Sequence, residues 1–205
     1  GEKIFRDCTA VVHRRAGARE LFVMRVEEPV LAPLLADPDA SCPSDPGQRL
    51  KDGNTSTVWR AQAGGRAVVV KRYNVKGAWH GLKLALRESR ARVSWRNAHR
   101  LRLYGIDTPQ PLACIVPRPG WRPGPAYFIA AAVDGEDLRD WVRRHHDETE
   151  ALAAVAARVA RLFADLKRLQ LVHGDTKATN FVLAGDRLYL LDLDAMRQHR
   201  QAAAF

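Results

Sequence analysis

Four polar residues in the last third of the chain have the types and spacing for phosphoryl chemistry: Asp175, Lys177, Asn180 and Asp192. Phosphoryl transfer needs a divalent cation held by oxygen ligands against nucleotide phosphates. It also needs a carboxylate that orients an attacking hydroxyl and accepts its proton. Asp175 and Asn180 lie in the run His173-Gly174-Asp175-Thr176-Lys177-Ala178-Thr179-Asn180. Phe181-Val182-Leu183 then reads as a short strand and Ala184-Gly185-Asp186-Arg187 as a turn. Leu188-Tyr189-Leu190-Leu191 reads as a second strand, ending in Asp192-Leu193-Asp194. A hairpin returns Asp192 to the edge that Asn180 leaves, so carboxylates, amide and ammonium converge on one place. Each residue alone has an ordinary explanation as a turn residue, a backbone cap or a strand-end charge. Their arrival together in this order is what points to a metal–nucleotide site.

Other elements must position that hairpin. Leu152, Val155, Val159, Leu162, Leu166 and Leu169 recur at three and four, predicting a helix over 148–169 with an apolar stripe. Asp134-Gly135-Glu136-Asp137 leads into a short helix, Leu138 to Arg144. Upstream the chain reads as sheet. Residues 50–73 alternate strand and turn, with Gly64-Gly65 as a hairpin signal and Ala67-Val68-Val69-Val70 as a β-branched run ending at Lys71. The small-residue turn Gly53-Asn54-Thr55-Ser56-Thr57 can lay backbone N–H groups and hydroxyls against phosphates. It equally describes an ordinary hairpin, just as Lys71 describes an edge charge that snorkels to water. Two more strands follow, Leu112 to Val116 and Tyr127 to Val133, separated by a proline- and glycine-rich loop, Pro117 to Pro125.

Between them, residues 79–103 form a basic helical segment, with Lys83, Arg87, Arg92, Arg96 and Arg100 near helical spacing. A solvated face is one reading, and an acidic partner or membrane surface is the other. Trp79 at its start suits a membrane interface. The first 49 residues predict two strands, Cys8 to His13 and Glu20 to Val26, around a turn at Arg14-Arg15-Ala16-Gly17. A short helix from Glu28 to Ala36 and a breaker-rich loop over 37–47 complete this accessory packing segment. Sheet gives way to helix near residue 133. The expected class is α+β, with an accessory segment 1–49, a sheet-rich lobe 50–133 and a mainly helical lobe 134–205.

The chain has 205 residues, enough for a substantial core. Its net charge of +10 favours polyanions. Three dispersed cysteines show no metal-ligand spacing and suit a reducing, cytoplasmic setting. Nucleic acid would account for the charge but leaves the carboxylate hairpin without a purpose.

His173-Gly174-Asp175, Asn180 and Leu190-Leu191-Asp192-Leu193-Asp194 together resemble the catalytic loop and metal motif of protein-kinase-like enzymes. The form His-Gly-Asp-x-Lys-Ala-x-Asn is most similar to the bacterial lipopolysaccharide kinases, which phosphorylate heptose or Kdo sugars of the inner core. Trp95-Arg96-Asn97, Gly105-Ile106-Asp107-Thr108-Pro109 and Val70-Lys71-Arg72-Tyr73 resemble that group too.

The resemblance, covering about 50–200, implies a two-lobed kinase-like fold using ATP and Mg²⁺. It makes Asp175 the base, has Lys177 contact the γ-phosphate, and gives Mg²⁺ to Asn180 and Asp192. Lys71 would pair with the α/β-phosphates. Gly53, Asn54, Thr55 and Ser56 would line the phosphate loop, Val58 would pack on adenine, and the backbone around Ala131 would read its edge. An anionic glycolipid would be the substrate, and the protein would sit at the cytoplasmic face of the inner membrane.

The sequence departs from the pattern in five places. Gly174 replaces an arginine, the phosphate loop has one glycine where the pattern has several, and Asp194 occupies a glycine position. Ser94 precedes Trp95 where a glutamate commonly pairs with the strand lysine; Glu88 lies earlier on the segment, but a spacing of about six residues puts it on a different helix face. The residues after Asp194 are few, implying a short or truncated second lobe. A catalytically weak kinase-like binding module, or a kinase for a protein or soluble small molecule, remains an alternative.

Overall fold

The computed structural model describes residues 3–74, 88–118 and 124–199. They form two compact units, residues 1–100 with 110–132, and residues 101–109 with 133–205.

The first unit is built on an antiparallel seven-stranded sheet. Its strands in chain order are β1 (Val11–Ala16), β2 (Arg19–Met24), β3 (Lys51–Asp52), β4 (Ser56–Ala63), β5 (Arg66–Tyr73), β6 (Pro111–Pro117) and β7 (Ala126–Ala131). Their order across the sheet is β1-β2-β6-β7-β5-β4-β3. Helix α1 (Glu28–Ala36) packs Leu31, Leu34 and Leu35 with Trp59, Val68, Val70, Leu112, Ile115 and Ile129. A second cluster joins Ala91 and Trp95 of helix α2 (Arg90–Leu103) to Val11, Phe22, Tyr73, Cys114 and Val116. With apolar partners on both faces, β6 has the uninterrupted hydrophobic run Leu112-Ala113-Cys114-Ile115-Val116, all of it buried. Burial also pushes the Cys114 thiol pKa far up, which makes it an inert core residue.

Both buried indoles find acceptors: Trp59 donates to Ser41 Oγ at 3.0 Å and Trp95 to the Ile4 carbonyl at 2.9 Å. Gly64 and Gly65 both take positive φ, +55° and +77°, as a two-residue hairpin turn with the twist of its strands requires.

The expected first turn moves. Strand β1 runs on through Arg14, Arg15 and Ala16, and the chain reverses at Gly17, φ +55°. The two arginines are strand residues whose charges are matched elsewhere, Arg14 by Glu28 at 2.7 Å and Arg15 by Glu20 at 3.5 Å. Strand β2 pairs with β6, so this hairpin extends the same sheet.

The expected basic helix is seen from Arg90, and residues 79–87, with Trp79, Lys83 and Arg87, lie outside the described residues. Arg92 pairs with Glu20 at 3.4 Å and stands over the rings of Phe5 and Phe22. Arg96 pairs with Glu88. Part of the basic stripe therefore serves the protein's own packing.

The second unit holds helices α3 (Leu138–Arg144) and α4 (Thr149–Arg168) and five short strands. These are β8 (Glu136–Asp137), β9 (Leu171–Val172), β10 (Phe181–Ala184), β11 (Arg187–Leu190) and β12 (Arg197–Gln198). β11, β10 and β8 form one sheet, while β12 and β9 form a ribbon. The α4 stripe buries Val155, Leu162 and Leu166. Asp137 caps α3 by accepting the Asp140 amide at 3.0 Å. Among the described residues no helix is long and apolar enough to cross a membrane.

Candidate active site

The hairpin in the second unit forms as its sequence indicates: Phe181 pairs with Leu190 and Ala184 with Arg187, with Gly185 at φ +58° in the turn. Backbone hydrogen bonds bring its polar residues together. His173 is buried, and its Nε2 meets the Leu191 carbonyl at 2.7 Å. A carbonyl only accepts, so Nε2 carries the proton. The Leu191 amide in turn donates to the Asn180 carbonyl at 2.8 Å. Gly174, at φ +81°, passes so close to the next segment that a Cβ there would lie 2.8 Å from the Ala195 carbonyl oxygen. A side chain there would collide with that backbone in a conformation that glycine adopts at no steric cost.

Asp175 follows. Its backbone carbonyl accepts Asn180 Nδ2 at 2.8 Å, and its Oδ2 accepts Lys177 Nζ at 2.9 Å. The Lys177 bond holds the Asp175 carboxyl below the usual carboxylate range, helped by Asn180 and opposed by the negative charge of Asp192. The same bond raises Lys177, with Asp192 and Asp194 adding to the effect. Those influences place Asp175, Lys177, Asp192 and Asp194 in one electrostatic cluster. Asp192 takes a left-handed conformation, φ +57° and ψ +61°, an uncommon state for a non-glycine residue that short polar side chains tolerate best. The side chains of Asp175 and Lys177 are 40% and 50% exposed, while Asn180 is buried. The arrangement offers an accessible base and cation above a fixed amide.

Among the described residues no three acidic, histidine or cysteine side chains gather into a metal cage. The oxygen donors at hand are the Asp192 carboxylate and the Asn180 amide, whose NH₂ is already engaged. One carboxylate and one amide suit Mg²⁺, which takes few protein ligands and fills its octahedron with phosphate oxygens and water.

Two residues that hold the hairpin escape a local reading. Thr108 Oγ1 donates to the Leu190 carbonyl at 2.8 Å, and the Leu190 amide donates to the Asp107 carbonyl at 2.9 Å. The Asp107 carboxylate pairs with Arg187. The segment Gly105-Ile106-Asp107-Thr108-Pro109 thus braces the strand that ends at Asp192. Its only sequence signal is the resemblance noted above.

In the first unit, Gly53 N donates to Ser56 O at 3.1 Å and closes the small-residue turn. Asn74 clamps it, donating from Nδ2 to Gly53 O at 3.0 Å and from its amide to Thr55 O at 3.1 Å. Asn54 and Thr55 form the exposed tip, whereas Ser56 is fully buried and its Oγ has no partner among the described residues. Val58, Lys71 and Phe128 form one row across three strands, with Val58 opposite Lys71 and Lys71 opposite Phe128. Lys71 is buried, with its Nζ 5.1 Å from the Tyr73 ring centroid. The Ala131 amide donates to Gln110 O at 2.9 Å, and the Ala132 amide to Ala67 O at 3.1 Å. Glu88 does not take the role of carboxylate partner to Lys71; it forks onto Arg96, eight positions away. Ser94 hydrogen-bonds Tyr73 Oη at 2.8 Å.

Comparison with known proteins agrees with this architecture. The search of curated proteins returns no match. Among solved structures the chain is similar to WaaP in complex with acyl carrier protein, with a TM-score of 0.64 at 18% identity, over 87% of this chain and 73% of that one. That likeness establishes the α+β, protein-kinase-like fold. The model of the lipopolysaccharide kinase (Kdo/WaaP) family matches residues 44–204, which include both the Lys71 strand and the whole hairpin. The chain belongs to the lipopolysaccharide kinase (Kdo/WaaP) family.

Proposed function

We propose that Asp175 orients a sugar hydroxyl of the lipopolysaccharide inner core and accepts its proton during transfer of the ATP γ-phosphoryl group. As a member of its family the chain is an ATP-dependent phosphotransferase with a glycolipid substrate; the assignment of roles to residues is our own. The carrying observation is the convergence of Asp175, Lys177 and Asn180, through bonds of 2.8 and 2.9 Å, on the strand end that bears Asp192.

In the reaction the sugar oxygen bonds to the γ-phosphorus as the bond to the β,γ-bridging oxygen breaks. The hydroxyl proton passes to Asp175, which is ionised at neutral pH as any ordinary aspartate is, and which Lys177 holds further below the usual carboxylate range. Asn180 and Asp192 would hold Mg²⁺, which when bound neutralises charge on the phosphates. Lys177 then meets the transferring phosphate. Its ion pair with Asp175 is half exposed, and exposed pairs contribute only about 0–1 kcal/mol, so exchanging the carboxylate for a phosphate costs little. Lys71, Val58, Ala131 and the turn Gly53-Asn54-Thr55 are assigned to the nucleotide, while Ser56, expected in the same loop, is fully buried and turns its hydroxyl inward.

The net charge of +10 favours peripheral residence at an anionic glycolipid surface, on the cytoplasmic face of the inner membrane. The basic segment 79–103 is assigned to that surface or to an acidic protein. Acyl carrier protein, which is bound to WaaP in the similar structure, is one candidate to test.

Purified protein with ATP, Mg²⁺ and core oligosaccharide should add one phosphate to the acceptor, read by mass spectrometry. Asp175→Ala and Asp192→Ala should each lower the rate by ~10³-fold or more with unchanged melting. Phosphorylation at the wild-type rate in either variant would refute the assignment. ATP binding by the wild type with no transfer to any core acceptor would favour a binding module.

A further inference from the structure

The turn assigned to the ATP phosphates is gripped by Asn74, which follows β5. Asn74 Nδ2 donates to the Gly53 carbonyl at 3.0 Å and to Thr57 Oγ1 at 3.4 Å, and its backbone amide donates to the Thr55 carbonyl at 3.1 Å. The turn is thus held at its start, its tip and its exit. The direction of the side-chain amide is set from the other side. Arg72 Nη1 donates to Asn74 Oδ1 at 3.4 Å. A guanidinium only donates, so the oxygen faces Arg72 and the NH₂ faces the turn. Thr57 Oγ1 lies 3.4 Å from Asp52 Oδ1, gives its proton to that carboxylate and keeps a lone pair for Asn74.

Arg72 is itself oriented. Positions 68, 70 and 72 share the face of β5 that packs on α1, and Arg72 Nε meets Asp39 Oδ1 at 3.4 Å. The other oxygen of that carboxylate accepts Tyr127 Oη at 2.8 Å. Burial, and then the bond to Asp39, push the Tyr127 pKa up to about 12, so its hydroxyl stays a donor at any working pH. Tyr127 and Arg72 both donate to Asp39, Arg72 also donates to Asn74, and Asn74 donates to the turn. Asp39 lies in the 3-10 turn Pro38–Ser41, ahead of residues 44–204 that the family model matches.

We infer that Asn74 is a positioning residue for the phosphate turn, and that Asp39, through Arg72, fixes the amide orientation in which it acts. The Gly53 carbonyl and the Asn54 N–H share one planar trans peptide and point opposite ways. The bond that draws the carbonyl to Asn74 therefore aims the N–H away from it. Backbone N–H groups that are aimed before the ligand arrives bind phosphate without a cost of reorganisation.

This inference rests on the assignment of Gly53, Asn54 and Thr55 to the ATP phosphates, and the test separates the two. Calorimetry gives Kd for ATP, ADP and adenosine, with thermal melting beside it, in wild type, Thr55→Asp, Asn74→Leu, Asp39→Asn and the double variant Asn74→Leu/Asp39→Asn. Asn74→Leu keeps the size and removes the side-chain bonds. It should weaken ATP and ADP about 5- to 30-fold and leave adenosine within about twofold of wild type. Asp39→Asn should weaken ATP about two- to fivefold with the same selectivity. Removing a negative charge would by itself favour a polyanion, so a loss there reports the relay. In the Asn74→Leu background, Asp39→Asn should cost nothing further, because Asp39 acts only through Asn74.

Equal losses of ATP and adenosine in Asn74→Leu would leave Asn74 a purely structural residue and overturn the inference, as would a full further loss from Asp39→Asn in the double variant. If Asn74→Leu melts too early to titrate, Asp39→Asn still decides: a loss confined to ATP and ADP upholds the relay, and wild-type ATP affinity rejects it. Thr55→Asp sets a carboxylate at the exposed tip and should weaken ATP and ADP about fivefold or more. Wild-type ATP affinity in that variant would instead reject the assignment of the turn to the phosphates.

Discussion

The two units assemble their polar residues by different means. In the second unit everything assigned to chemistry lies between His173 and Asp194, and backbone hydrogen bonds fix it. His173 holds the Leu191 carbonyl, the Leu191 amide holds the Asn180 carbonyl, and Asn180 holds the Asp175 carbonyl. In the first unit the assigned residues are spread from Gly53 to Ala131, and sheet register aligns them: Val58, Lys71 and Phe128 meet in one row because β4, β5 and β7 are neighbours. A short loop wired through its backbone tolerates almost no change of main-chain path. A row set by register tolerates side-chain change so long as the strands stay paired.

That contrast predicts where damage concentrates. Among changes that leave every assigned side chain in place, the largest effect is expected from Gly174→Ala, a single methyl group in the second unit. It forces a side chain into φ +81°, with its Cβ 2.8 Å from the Ala195 carbonyl oxygen. It should destabilise the protein by about 1–3 kcal/mol and displace Asp175. Activity should fall ~10-fold or more, read by calorimetry beside a kinetic assay. A fully active, equally stable Gly174→Ala would mean that the loop is not held by its backbone.

A smaller effect is expected from Lys177→Met, and its signature is pH. Lys177 holds the Asp175 pKa down. The base must be ionised to work, so wild-type kcat/KM should persist into the acid range and fall only as Asp175 protonates. Without the lysine the Asp175 pKa rises, and the acid limb of kcat/KM should move to higher pH. The same linkage gives a stability effect: the depressed carboxyl favours the folded state above its unfolded pKa, and that contribution fades as pH falls through the folded value. An acid limb that stays in place in Lys177→Met would separate the two residues.

The same contrast decides what could be read from sequence. The hairpin was legible because its signals are local: residue types, a turn at Gly185 and strand lengths all lie within a few positions of each other. Helices α1, α3 and α4 were legible from spacing, breakers and caps. What escaped depends on partners far along the chain. Thr108 braces Leu190 from 82 positions away, and Trp95 finds Ile4 across 91. Glu88, the nearest carboxylate on that segment, is engaged by Arg96, a choice set by where the helix packs. Arg14 and Arg15 read as part of the turn that ends at Gly17, yet a strand edge accommodates them once Glu28 and Glu20 are near. The inward hydroxyl of Ser56 could not be told from the outward one of Thr55, since alternation fixes which residues share a face and not which face is covered.

The central claim is a division of labour at the hairpin, with Asp192 serving the metal and Asp175 the acceptor. Titrating ATP into wild type, Asp192→Asn and Asp175→Asn, with and without Mg²⁺, tests it most directly. Wild type and Asp175→Asn should bind ATP more tightly when Mg²⁺ is present, and Asp192→Asn should lose that Mg²⁺-dependent gain. A gain kept in Asp192→Asn, or lost in Asp175→Asn, would contradict the account.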